Sequence, residues 1–304
     1  MDIFNISEAD ALPCERTAVA LGNFDGVHLG HCALLKRVVE LAESRNEVPS
    51  VFTFIRHPAL SLGRTCPKLI TENEDKAELF AAHGIKRIYA ADFESVRHYS
   101  PEAFVCEVLK AKLHADVAVC GYNFRFGENG SGSPELLTSL MHGNTEVIPP
   151  IIIRNHPVSS SLIRQAIESG DVEYASEMLG RPYSISFPVV HGKELGRTIG
   201  LPTINQDFPE RHVIPSSGVY AVIVTVDHTE YLGVANVGNR PTVDNDGRIN
   251  CETHIIGFNG WLYGRPVKVS FYKKLRDEIK FSSLDRLKAQ INTDIEDTKT
   301  YFKK

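Results

Sequence analysis

The chain has 304 residues, 42% of them apolar and 23% charged, with a net charge of −5 when histidines are neutral. That is length for two domains and composition for packed cores; it excludes bulk disorder and a protein built to coat nucleic acid, but not a local anion site. The six cysteines are scattered without C-x-x-C spacing, which argues against a zinc ribbon or disulfide framework. The acidic N-terminus is unlike a signal peptide and no apolar run reaches membrane-spanning length, so a cytoplasmic protein with no nucleic-acid or membrane partner is expected.

The first half alternates two textures. Residues 17–21 (TAVAL) read as a buried strand, and 31–45 carry apolar residues at helical spacing. Strand 49–54, helix 74–84 with a closing glycine, strand RIYAA, helix 101–113 and strand 116–121 follow. This alternation predicts a Rossmann-like α/β domain, a parallel sheet with helices on both faces, and a ligand site beyond the carboxyl ends of the strands. Residues 159–180 predict two short helices broken at Gly170-Asp171. From 184 onward, segments such as GVYAVIVTV, CETHIIGF and VKVSFYKKL alternate like strands between Gly, Pro and Asn-Gly turns, and the chain ends in a serine-capped helical pattern. The expectation is an antiparallel, barrel-like β domain with a C-terminal helix, the boundary lying near 181–184, so that the domains are 1–182 and 183–304.

LGNFDGVHLGH (21–31) places a glycine-containing turn between a strand and a helix start, where backbone N–H groups and the helix dipole attract anions. Gly30 lets a phosphate approach the backbone. His28 and His31, three apart, share a face of the first turn, and two imidazoles there can donate to a phosphoryl group as charge develops. The same pair could ligate a metal or simply lie on the surface. No acidic or cysteine partner stands nearby at metal-site spacing, and the position after a strand favours phosphate.

GNFDGVHLGH, GYNFRFG (121–127), the Gly/Ser loop 127–133 and VSSSLIR (158–164) together resemble the bacterial bifunctional riboflavin kinase/FAD synthetase family, and the resemblance runs along nearly the whole chain. It implies that His28 and His31 bind the ATP phosphates and stabilise adenylyl transfer, that Gly22, Phe24 and Gly30 belong to the nucleotide site, and that Ser159, Ser160 and Arg164 form a second phosphate clamp. Asn123 and Phe124, with Phe126 beside them, and His57 would lie near the flavin or its phosphate. The chain departs from the family pattern at Ile55 and Arg56 in TFIRHP, at Leu162 in SSSLIR and at Glu128.

In HGKELGRTIGLPTIN (191–205), extended backbone would project Thr203 and Asn205 to one side, where a hydroxyl and an amide oxygen suit Mg²⁺. Residue alternation likewise puts Glu252 and His254 of CETHIIGF on one face, and a carboxylate there can take the proton of an attacking alcohol. Both segments also read as an ordinary turn and strand. GRPYSISFPVVHGKELGRTIGLPTIN, GVANVGNRPTV and KLRDEIKFSSLDRLKAQINTDI resemble riboflavin kinase segments in family order. This implies that Thr203 and Asn205 hold Mg-ATP, Glu252 is the base, Gly192, Lys193 and Arg197 lie in the nucleotide loop, and Arg276 lies over the flavin. Gly257 and Trp261 depart from the family's D-F-x-G-x-L-Y-G. The implied function is phosphorylation of riboflavin to FMN, then adenylyl transfer to give FAD and pyrophosphate. The alternatives are an enzyme that keeps one activity, the kinase, and a non-catalytic flavin-binding module.

Overall fold

The computed structural model describes residues 1–8, 12–56, 58, 65–192, 200–239 and 249–303. The chain divides into two compact units, Met1–Ser160 and Ser161–Lys304.

In the first unit, β1 (Asp2–Asn5), β2 (Thr17–Leu21), β3 (Val48–Phe54), β4 (Arg87–Ala91), β5 (Ala115–Gly121) and β6 (Thr145–Ile148) form one parallel sheet in the order β1-β4-β3-β2-β5-β6. Alternate residues of each strand face opposite layers, because the side-chain period of a strand is two. Ala18, Ala20, Val117 and Val119 pack with Leu34, Leu35 and Val38 of α1 (Leu29–Arg45) and with Phe80 of α2 (Asn73–Ala82). Val19, Leu21, Ala118 and Cys120 pack instead with Phe104, Val105 and Val108 of a helix on the other face. The helices therefore cover both faces, as the alternation of textures predicts. The edge strands β1 and β6 are part-exposed along their length and carry no buried run for a sequence reading to find. The strand order reverses between β2 and β5, the point beyond whose carboxyl ends sheets of this kind bind ligands.

One element differs from expectation. Residues 101–113 are a single turn, Pro101–Ala103, followed by a π-helix, Phe104–Lys112. Its buried residues fall at 104/105, 108/109 and then 113, and Leu113 N–H donates to Val108 O five residues back at 3.0 Å. The buried residues 105, 108, 109 and 113 keep the spacing of an α-helix, so the apolar pattern does not distinguish the two forms and only the five-residue hydrogen bond does. Helix α3 (Pro134–Leu140) and the ribbon β7 (Ile152–Ile153)–β8 (His156–Pro157) complete this part of the chain.

The division falls at the first residue of α4 (Ser160–Ser169); α5 (Val172–Leu179) follows, the two helices being broken at Gly170 and restarted by Asp171, whose carboxylate accepts from Tyr174 N–H. Then come β9 (Tyr183–Pro188), β10 (Thr203–Asp207), β11 (Gly218–Val226), β12 (Thr229–Asn239), β13 (Ile249–Ile255), β14 (Pro266–Arg276) and α6 (Leu284–Phe302). The strands make one antiparallel sheet in the order β10-β13-β12-β11-β14-β9. Its two edges meet: Val190 N–H donates to Asn205 O at 2.8 Å, and Gln206 Nε2 donates to Phe187 O at 2.6 Å and Val267 O at 2.7 Å. Those bonds curl the sheet into a barrel. Helix α6 starts at the cap Ser283, whose hydroxyl accepts from Arg286 N–H, and crosses β11 and β12.

The units divide at Ser160–Ser161, earlier than the 181–184 read from the change in texture. The reason is packing. Helix α5 lies against β9 and β14, and Gly170 is so close to Ser216, Tyr220 and Lys274 that a Cβ there would overlap them.

Candidate functional sites in the two units

The histidine turn follows β2 directly. His28 caps α1: its backbone is extended (φ −77, ψ 173) and its Nδ1 accepts from His31 N–H at 3.3 Å. With Nδ1 an acceptor, a neutral ring carries its proton on Nε2. The two imidazoles stack at 3.6 Å between centroids with 13° between planes. Gly30 makes the stack possible, because a Cβ there would stand 3.1 Å from His28 Cε1. The glycine thus serves the histidine first, a role that the expected approach of phosphate to backbone did not include. No acidic residue occupies the first turn of α1, so its positive end meets no carboxylate from that turn.

Phe24 corrects an expectation. Its ring is fully buried, edge-on to Phe80 at 5.3 Å and 5.1 Å from the His31 ring. It backs His31 from the core and offers no side-chain surface to a nucleotide. Gly22 lies beside it, with Phe24 Cε2 3.1 Å from where a Cβ would be. Ser160 is brought to the turn, its hydroxyl donating to Asp25 O at 2.9 Å. Ser159 precedes it, and Arg164 lies one helical turn further on, half-buried, in the second unit.

Beyond β5, Asn123 is exposed and Phe124 half-buried. Phe126 is a core residue, 6% exposed and stacked on Phe124 at 5.7 Å. Of this pair, only Phe124 keeps surface for a flat ligand. Ile55 continues β3 by donating to Ala91 O at 2.9 Å, Arg56 is exposed, and His57 lies outside the described residues.

The second site is built by strand register. In the β10–β13 pair, Thr203 lies opposite His254 and Asn205 opposite Glu252, so all four share one face. Thr203 Oγ1 donates to Glu252 Oε1 at 2.7 Å, and Asn250 Nδ2 donates to Asn205 Oδ1 at 3.0 Å. His254 Nδ1 is 2.8 Å from Pro202 O and therefore donates, which anchors that ring to the strand start. Gly192 sits against the Asn205 amide, where any Cβ would overlap it. Lys193 and Arg197 lie outside the described residues.

The chain matches the FAD synthetase family model over residues 12–162 and the riboflavin kinase family model over residues 179–302. It is 37% identical over 291 residues to the bifunctional riboflavin kinase/FMN adenylyltransferase of Listeria monocytogenes, covering 94% of this chain and 92% of that protein. The protein of the same description from Escherichia coli K12 is 36% identical over 310 residues, covering 99% and 96%. This chain belongs to the bifunctional riboflavin kinase/FMN adenylyltransferase family. It is a two-domain transferase, FMN adenylyltransferase toward the N-terminus and riboflavin kinase toward the C-terminus. A crystal structure described as a macrolide-efflux protein from Streptococcus pneumoniae is similar throughout, with TM-score 0.89, 32% identity and 98% coverage of both chains. That description names a different activity, and among the described residues here no helix is long and apolar enough to cross a membrane.

Within this family frame, three further positions find physical reasons. Arg276 ends β14 with its fork on Asp294: Nε donates to Oδ1 at 3.0 Å and Nη2 to Oδ2 at 2.8 Å, while Nη1 donates to Asp277 O. The guanidinium expected over the flavin thus docks α6 onto the barrel. Gly257 adopts φ 75 in the turn after β13, a conformation that suits glycine. Trp261 is 72% exposed and edge-on to Tyr263, which stacks on His191 at 4.0 Å.

Asp25 escaped the sequence reading. It is buried, and its motif drew attention to the histidines instead. A carboxylate inside a glycine turn was the available signal.

Proposed function

We propose that residues 1–182 carry out the adenylyl step and residues 183–304 the kinase step, each with the residues assembled above. The observation that carries the reading is that each unit gathers its own phosphate-transfer constellation: the stacked His28–His31 pair at a helix start, and Thr203, Asn205 and Glu252 on one strand face.

In the kinase step the 5′-hydroxyl oxygen of riboflavin attacks the γ-phosphorus of ATP. The bond to the β–γ bridging oxygen breaks, ADP leaves, and Glu252 takes the hydroxyl proton. Thr203, by donating to Glu252 Oε1, fixes the direction of the carboxylate and leaves Oε2 for the substrate. The donor set fits a hard divalent cation, magnesium in this reading, held by Thr203 Oγ1 and Asn205 Oδ1; when bound it neutralises charge on the ATP phosphates.

In the adenylyl step a phosphate oxygen of FMN attacks the α-phosphorus of ATP and pyrophosphate leaves. The attacking group is already ionised, so no base is needed and catalysis is positioning plus charge stabilisation. His28 and His31 serve the phosphates together with Ser159 and Ser160, and Asn123 and Phe124 meet the flavin. The location is cytoplasmic in this reading, and no disulfide joins the six cysteines.

Incubation of the full chain with riboflavin, ATP and Mg²⁺, followed by chromatography, tests the whole proposal. FMN followed by FAD is expected. FMN without FAD leaves the kinase alone, and flavin binding without product removes both activities.

A further inference from the structure

The histidine turn is held in an unfavourable backbone shape. Phe24 (φ 54), Gly26 (φ 85) and Val27 (φ 38) all lie on the left-handed side, and a β-branched valine there is a true outlier. For Phe24 and Val27 such conformations are unfavourable and persist where surrounding structure over-determines them. Asp25, in the middle of this turn, is 4% exposed. Its Oδ1 accepts from Ile70 N–H at 3.0 Å and Thr71 N–H at 3.3 Å. Lys76, 8% exposed on α2, places its charge against Asp25 and Glu72. The main-chain carbonyl of Asp25 accepts the Ser160 hydroxyl.

These partners come from separate segments. The chain leaves β3 at Phe54, passes through Ile55, Arg56 and His57, and returns at Ile70–Thr71. Both ends of that excursion are tied to the turn: Thr53 Oγ1 donates to Asn23 O at 3.2 Å on the way out, and Ile70 and Thr71 donate to Asp25 on return. The start of the serine segment is tied to the same residue.

We propose that Asp25 is a positioning residue for adenylyl transfer. Its carboxylate ties the histidine turn to Ile70 and Thr71, and its main-chain carbonyl takes the Ser160 hydroxyl at the start of α4, so that the groups facing ATP and those facing FMN are aligned together. It touches neither substrate and acts through His28, His31 and the main chain at Ile70–Thr71. The inference rests on the adenylyltransferase reading of the first unit.

The test uses the full-length chain, in which the kinase activity of the same molecules reports folding. Asp25→Ala should lower kcat for FAD formation about a hundredfold, as expected when reacting groups shift by about 1 Å. It should also raise KM for FMN about tenfold, the equivalent of one lost hydrogen bond to a charged group. Riboflavin phosphorylation should keep the parent's rate. Asp25→Asn retains an acceptor but no charge, and should fall between the two, about tenfold below the parent in kcat. A merely structural role would reduce the number of active molecules and leave KM unmoved. The proposal is overturned if Asp25→Ala forms FAD at the parent's rate, if KM for FMN stays put while both activities fall together, or if Asp25→Asn matches the parent when Asp25→Ala does not fold. A parent chain that makes FMN but no FAD removes the underlying reading, and this inference with it.

Discussion

The two units place their reactive groups by different physics. In the first, the histidines are aimed by backbone: a strained turn, an N-cap and a ring stack seated on Gly30. In the second, Thr203, Asn205, Glu252 and His254 are aimed by antiparallel register, which repeats every two residues and needs no strain. A turn-built site depends on ties from distant segments, and a sheet-built site on its neighbouring strand. Damage should therefore spread differently in the two.

The largest expected effect is in the sheet-built site. Glu252→Gln removes the proton acceptor and should lower riboflavin phosphorylation about a thousandfold. FAD formation from supplied FMN should be unchanged, and equal loss of both would contradict the separation of sites. Next, His31→Ala should lower FAD formation about a hundredfold, the cost of one charge-stabilising donor, while FMN accumulates. Coupled chromatography of the three flavins reads both variants.

The third prediction concerns stability. Asp294 is 2% exposed and receives the Arg276 fork as well as Gln290 Nε2. Asp294→Ala leaves the largely buried Arg276 guanidinium without its carboxylate and should destabilise the second unit by about 3 kcal/mol in urea unfolding. A loss near zero would mean that α6 is held by apolar contacts alone. Smaller again, Gly30→Ala pushes the His28 ring by a few tenths of an ångström and should slow FAD formation about tenfold without touching the kinase.

The mildest test is chemical. Burial pushes the thiols of Cys120 and Cys251 up to about 12, so neither is a thiolate near neutral pH. An alkylating reagent at pH 8 should modify the exposed Cys14 and Cys106 and spare those two, as peptide mapping would show. Labelling of Cys251, next to Glu252, would reveal that the β10–β13 pair opens.

What was legible in the sequence follows the same division. The Thr203–Asn205 and Glu252–His254 pairs could be read because strand alternation is local, and their meeting needed only the register of two strands. His28 and His31 were visible through helical spacing. Asp25 was not: its partners Ile70, Thr71, Lys76 and Ser160 lie 45 to 135 residues away, and no local pattern marks them. Phe24 and Arg276 were read as ligand contacts from their motifs. The core claimed the Phe24 ring and Asp294 claimed the Arg276 fork, both through long-range packing.

By itself the sequence determined the class of each unit, since apolar period and turn residues act over a few residues; the two chemistries came from the family resemblance of the motifs, since histidines at a helix start and a carboxylate on a strand read equally as ordinary surface positions. Tertiary structure alone decided where the units divide, that 104–112 winds as a π-helix, how the barrel edges meet through Val190 and Gln206, and which residue ties the histidine turn down. Each of these turns on contacts between segments far apart in the chain, where burial and hydrogen-bond geometry outweigh local preference.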